Sequence, residues 1–168
     1  MVGQVRSEVI HDGFTLVRRY RSGVDAVWRA FADPDVKRRW FAEGAGFEVI
    51  EYVLDFRPGG REHAAFRVVD APVPLGVITN ETRYFDIRER ERIVSAYSMA
   101  NDGVPFSVSL VTVTFEPDGD GTLLTFRETA AFLENADGVR LRENGTRALL
   151  EALAAELGEE RQEVAWQA

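Results

Sequence analysis

The stretch Val24–Phe41, VDAVWRAFADPDVKRRWF, constrains this chain more than any other part of it. Val24, Val27, Trp28 and Phe31 recur at i, i+3, i+4 and i+7, which predicts one apolar face of an amphipathic helix. Ser22 and Asp25 ahead of it have the spacing of a capping box. Asp33-Pro34 then starts a second short helix, with Asp as N-cap and Pro in the first turn. Val36 and Trp40 share its inner face, and Lys37-Arg38-Arg39 reads as its solvated side. Before this pair of helices lies one strand, Gly13–Tyr20, whose parity places Arg18 on the face of Phe14, Leu16 and Tyr20.

Almost everything that follows reads as β-structure. Phe47–Phe56 is a strand with Ile50, Tyr52, Leu54 and Phe56 on one parity, and Pro58-Gly59-Gly60 turns it into Arg61–Val69. Asp70–Gly76, with Pro72 and Pro74, is a loop and the segment expected to be most flexible. Val77–Ile87, Arg92–Met99, Val104–Phe115 and Thr122–Ala130 are further strands, joined by Arg88–Glu91, Asn101-Asp102-Gly103 and Pro117–Gly121. Strands so close together, separated by such turns, predict an antiparallel meander.

A final helix runs from about Asp137 to Gly158, with Leu141, Gly145, Leu149, Leu153 and Leu157 repeating at i+4. Glycine inside a helix costs about 1 kcal/mol against alanine, so Gly145 is read as allowing close backbone approach to the sheet or a ligand. The tail Glu159–Ala168 is polar and expected to fray, with Trp166 unplaced. The whole predicts an α+β domain in which a sheet wraps one long helix, leaving room for something between them.

Composition narrows the chemistry. A chain of 168 residues is one domain able to bury a sizeable core. Its formal net charge of −8 argues against nucleic acid or anionic membrane as a partner. No run of about 18 apolar residues predicts a membrane span, and no signal peptide is read at the N-terminus, so a cytoplasmic location is the default. The chain has no cysteine and two histidines, His11 and His63, which removes thiol chemistry and leaves no metal-ligand spacing. No cofactor is expected. No Gly-x-Ser-x-Gly elbow, phosphate-binding glycine loop or calcium loop is present.

Several motifs, in their order and spacing, resemble those of the START-like (SRPBCC) superfamily, in the branch related to the activator of the heat-shock-chaperone ATPase. They are Val27-Trp28-Arg29-Ala30 with Asp33-Pro34 and Trp40-Phe41, Asp55-Phe56-Arg57-Pro58-Gly59-Gly60, Tyr84-Phe85-Asp86-Ile87, Glu91-Arg92-Ile93-Val94, and Val111–Phe115 through Gly121-Thr122. The likeness covers roughly residues 14–157. It implies the helix-grip fold: a curved antiparallel sheet around a long C-terminal helix, with two short helices after the first strand. The chain departs from that pattern at Ser22-Gly23, where the branch usually shows Ala-Pro, and at Gly145-Thr146, where many relatives have Gly-Trp. The chaperone-activating relatives also carry a further N-terminal domain not seen here, so a co-chaperone role is not expected.

The resemblance implies a mostly apolar cavity between sheet and helix. Strand parity nominates Tyr97 and Met99, then Val111, Val113 and Phe115, then Phe126 and Glu128 as its lining. Tyr84 adds a hydroxyl, Trp40 and Phe41 a rim, and Ala148, Leu149 and Ala152 the helix side, although each aliphatic residue also fits a packed core. Glu128 follows the inward parity of Leu124 and Phe126. It either faces the cavity as an acid/base or ligand anchor, or sits at a strand end in solvent or paired with Arg18. Arg18 is either an anchor for a ligand carboxylate or half of a structural ion pair. His63 has the pKa for acid/base work but lies beside a turn, where exposure is the plainer reading.

The expected function is binding of a small hydrophobic or amphipathic molecule. The alternative is a cofactor-independent lyase, cyclase or hydrolase on an aromatic or polyketide-like substrate, using Glu128 or His63. A third reading is a stress-related protein-interaction module, and a homodimer is left open.

Overall fold

The computed structural model describes residues 8–44, 46–70 and 75–160. Strand β1 (Ile10–Tyr20) leads into helices α1 (Val24–Ala32) and α2 (Pro34–Lys37), which continue through a π-helical turn, Arg38–Ala42. Six strands follow: β2 (Phe47–Leu54), β3 (Arg61–Val68), β4 (Ile78–Arg88), β5 (Arg92–Asn101), β6 (Val104–Asp118) and β7 (Gly121–Phe132). Helix α3 (Val139–Glu156) closes the fold. The strands form one antiparallel sheet in the order β1-β7-β6-β5-β4-β3-β2. This is the helix-grip α+β arrangement.

The inner face follows the expected parity along β1, β6 and β7. Leu16, Arg18 and Tyr20 are buried, as are Val111, Val113, Phe115 and Leu124. The aromatic residues of α1 pack on them. Trp28 meets Phe115 and Phe56 edge-on, and Phe31 meets Phe115 and Trp40. Trp40 donates its Nε1–H to the Ala30 carbonyl at 2.8 Å, which locks the π-helical turn against α1. Asp33 caps α2 as expected, accepting from the Asp35 and Val36 amides.

The capping box does not form. Gly23 occupies the N-cap of α1, one residue beyond Ser22. Both the Ser22 amide and its hydroxyl donate to the Glu159 carboxylate at 2.9 Å, so Glu159 is tied to the β1–α1 junction instead of fraying. Residues 161–168, including Trp166, lie outside the described residues, as do residues 71–74 of the Pro72–Pro74 loop.

The strand β2 departs from simple alternation. Its register against β3 skips Ile50, a bulge that leaves Ile50 47% exposed while Tyr52 and Leu54 turn inward. Further bulges interrupt β4 against β5 and β5 against β6. Each bends its strand, which curves the sheet around the helices. At the β2–β3 turn a Cβ on Gly60 would stand 2.0 Å from the Asp55 carbonyl oxygen, so only glycine fits there.

Helix α3 is rotated from the expected stripe in its first half. Arg142, Thr146, Leu150, Leu153 and Ala154 are buried, whereas Leu141 is 65% exposed. The leucine periodicity misled because the residues facing inward there are polar. Gly145 lies on the exposed side, and a Cβ built on it would meet nothing within 4 Å. It therefore permits no close approach. Gly145→Ala should stabilise the protein by about 0.5–1 kcal/mol through the helix backbone alone. A urea unfolding curve with an unchanged or lowered midpoint would contradict this placement.

Candidate functional site

Two charged clusters are buried between the sheet and the helices. The first gathers on Glu128, which is 1% exposed on the inner face of β7. The β6–β7 register sets Val111 opposite Glu128, and the β5–β6 register sets Tyr97 opposite Ser109, so three inward positions converge. Tyr97 and Ser109 each donate a hydroxyl to Glu128 Oε1 at 2.7 Å. Arg142, from the first turn of α3, donates Nη1–H to the same oxygen at 3.1 Å. Asp137 grips that guanidinium in a bidentate pair, with Nε and Nη2 at 2.8 and 2.7 Å. Ser107 accepts a further Nη2–H at 2.7 Å. The guanidinium stands over the rings of Tyr97 and Phe132.

Burial, followed by the charge of Glu128, pushes the Tyr97 phenol well above its ordinary pKa, so it stays a donor. Burial works against the Arg142 charge, but the Asp137 hydrogen bond and its charge outweigh it and raise the guanidinium pKa. Among the described residues Glu128 Oε2 is buried with no hydrogen-bond partner. Glu128 thus faces inward, and its partner is Arg142 rather than Arg18 or solvent. Arg18 is itself fully buried and pairs with Glu151 of α3, Nε to Oε1 at 3.0 Å, while also donating to the Arg19 carbonyl. It clamps β1 to α3.

The second cluster was not anticipated. Lys37 is only 7% exposed and Glu62 1%, so the basic run is solvated only at Arg38 and Arg39. Lys37 Nζ donates to Glu62 Oε2 at 2.8 Å and to the Tyr84 hydroxyl at 3.2 Å. Tyr84 and Tyr52 donate to the two Glu62 oxygens at 2.7 Å each. Burial, then the Glu62 charge, raises both phenol pKa values. Tyr84 is therefore part of a closed ion network. The signal for Glu62 was its parity with Ala64 and Phe66 in REHAAF. For Lys37 it was its place between Val36 and the Trp40-Phe41 pair.

His63 alternates with Glu62 and so lies on the opposite face of the sheet. It is largely covered there rather than exposed, held between Glu81 on β4 and Glu51 on β2. It has no access to the Glu128 cluster. Among the nominated apolar residues, Trp40, Val111, Val113 and Phe115 are packed in the core, with Phe41, Phe126, Leu149 and Ala152 partly buried against it. Met99 is half-buried on β5, and Ala148 is exposed on α3. None of them lines either of the two hollows described next. Among the described residues no group of three or more metal-ligating side chains comes together.

A depression of 480 Å³ opens at the end of the sheet beside the start of α3, lined by Leu75, Ile78, Asn101, Val104, Phe106, Glu134, Asn135 and Asp137. The β5–β6 bulge leaves Phe106 without a partner on β5, between Pro105 opposite Ala100 and Ser107 opposite Met99. Asp137 both lines this hollow and holds Arg142, so the Glu128 cluster lies directly behind its wall. None of these lining residues was nominated from strand parity, because they come from strand ends and from the β3–β4 and β7–α3 connections. A second hollow of 440 Å³ lies on the helical side, where the Arg39–Glu156 ion pair crosses its lining.

The profile of the family described as Activator of Hsp90 ATPase homolog 1-like protein matches residues 22–158. Among solved structures, the Mll3558 protein of Rhizobium loti is 43% identical, with 89% of this chain and 99% of that chain aligned at a TM-score of 0.78. A protein of Rhizobium leguminosarum is 33% identical, over 91% of this chain and 98% of that one, with a TM-score of 0.82. The CV1439 protein of Chromobacterium violaceum, 23% identical over 88% of this chain and 98% of that one at a TM-score of 0.69, shares the fold. No curated protein matches the chain.

Proposed function

Since the chain belongs to the Activator of Hsp90 ATPase homolog 1-like family, we propose that it uses the helix-grip scaffold to bind a small apolar or amphipathic molecule, in the hollow at the open end of the sheet. The observation that carries this reading is the hollow itself. Its 480 Å³ falls within the range of about 300–1,000 Å³ usual for small-molecule sites. Leu75, Ile78, Val104 and Phe106 supply apolar wall, and Asn101 and Asp137 supply polar groups to fix orientation. Leu75 and Val104 are largely exposed, so a ligand covering them would remove apolar surface from water.

Acid/base catalysis by Glu128 has less support. Its Oε1 already accepts from Tyr97, Ser109 and Arg142, which holds the carboxylate in place. His63, on the far face of the sheet, has no part in the hollow.

A thermal-unfolding screen against apolar and amphipathic compounds tests the reading. A ligand at 100 times its Kd adds about 2.7 kcal/mol to the folded state. For a protein of this size that should raise Tm by about 5–10 °C. Val104→Trp, at an exposed position on the rim, should leave basal stability nearly unchanged and remove most of the shift. A screen with no shift, or a Val104→Trp protein that responds like the wild type, would overturn it.

A further inference from the structure

The open end of the sheet carries an excess of acceptors. Arg142 spends every N–H it has: Nε on Asp137, Nη1 on Tyr97, Ser109 and Glu128, and Nη2 on Ser107 and Asp137. Two carboxylates, Glu128 and Asp137, share that one guanidinium, so the cluster holds one uncompensated negative charge. Among the described residues, two oxygens here are buried and lack a donor, Glu128 Oε2 and Asn101 Oδ1. Asn101 lines the hollow directly, and Glu128 lies one guanidinium behind the Asp137 wall. A buried acceptor left without a donor is costly, and a charged one more so.

The geometry points to a ligand with an apolar body and a hydrogen-bond donor head, best of all a protonated amine, with carboxylates rejected. This rests on the ligand-binding reading above and names its ligand class. The apolar body would lie along Ile78, Val104 and Phe106. The ammonium head would donate to the Asp137 carboxylate and offset the excess charge, and a turn of the Asn101 side-chain amide would bring its covered Oδ1 into reach as a second acceptor. A carboxylate head finds no unused donor on Arg142. To reach that guanidinium it would have to displace Asp137, and it would add charge of the sign already in excess.

Three ligands with one body decide the point: 4-phenylbutylamine, 4-phenylbutan-1-ol and 4-phenylbutanoate, titrated calorimetrically into the full chain at neutral pH. The ammonium should bind at least tenfold more tightly than the carboxylate, with the alcohol between them. Asp137→Asn, which keeps an oxygen for Arg142 but removes the charge, should shrink that gap. Asn101→Ala should weaken the amine and the alcohol alike, so the donor preference can be read even if Asp137→Asn does not fold. A carboxylate that binds as well as the amine overturns the donor preference and leaves small-molecule binding standing. The same follows if none of the three binds while an uncharged compound from the thermal screen does. If nothing binds in either experiment, both readings fall.

Discussion

Arg142→Met should cost about 3–5 kcal/mol of folding stability, because it strands a buried charge. Glu128 would keep two hydroxyl donors, Tyr97 and Ser109, but lose its one cationic partner among the described residues, at a site 1% exposed. Asp137 is partly exposed and can regain water, so the loss falls on Glu128. The companion variant Arg142→Met/Glu128→Leu removes both charges. It should recover a large part of the loss, since replacing a whole buried pair by apolar groups is often neutral or stabilising. Urea unfolding of the four proteins in this cycle measures the coupling. A single variant losing less than about 1 kcal/mol, the range of exposed pairs, would mean that the cluster is solvated.

Lys37→Met should have a comparable effect, again about 3–5 kcal/mol, for the same reason at the other end of the concave face. Glu62 would be left with the Tyr52 and Tyr84 phenols as donors, and the ring contacts of Lys37 Nζ with Phe31 and Phe41 would go too. The informative control is next door in sequence. Arg38 pairs with Glu43 at the surface, with both side chains well exposed. Arg38→Ala should change stability by less than about 1 kcal/mol. Equal losses from the two variants would contradict the burial of Lys37.

How far the sequence leads depends on what kind of information each feature needs. The strands, their turns and the inward parity of Leu16, Phe115, Leu124 and Glu128 are local patterns, and they were legible. Ile50 was assigned to the wrong face because a bulge shifts parity, and nothing in the FEVIEYVL run marks where it falls. Arg142 was missed as the partner of Glu128 because leucine periodicity placed the helix face one residue away. A polar inner face leaves no trace in a hydrophobic pattern.

Lys37 was hidden inside a basic run whose other members are solvated. The hollow escaped for a different reason. Its wall joins a strand end, a hairpin bulge and the β7–α3 connection, residues brought together only by tertiary structure.

The proposed ligand site is the open end of the sheet, beside the start of α3. The most direct measurement is a two-dimensional amide NMR titration of the full chain with 4-phenylbutylamine. Saturable shifts should concentrate at Ile78, Asn101, Phe106 and Asp137, with the Trp40, Phe126 and Ala152 amides little moved. Shifts centred on Trp40, Phe126 and Ala152 would put the ligand between the sheet and the body of α3 and contradict it.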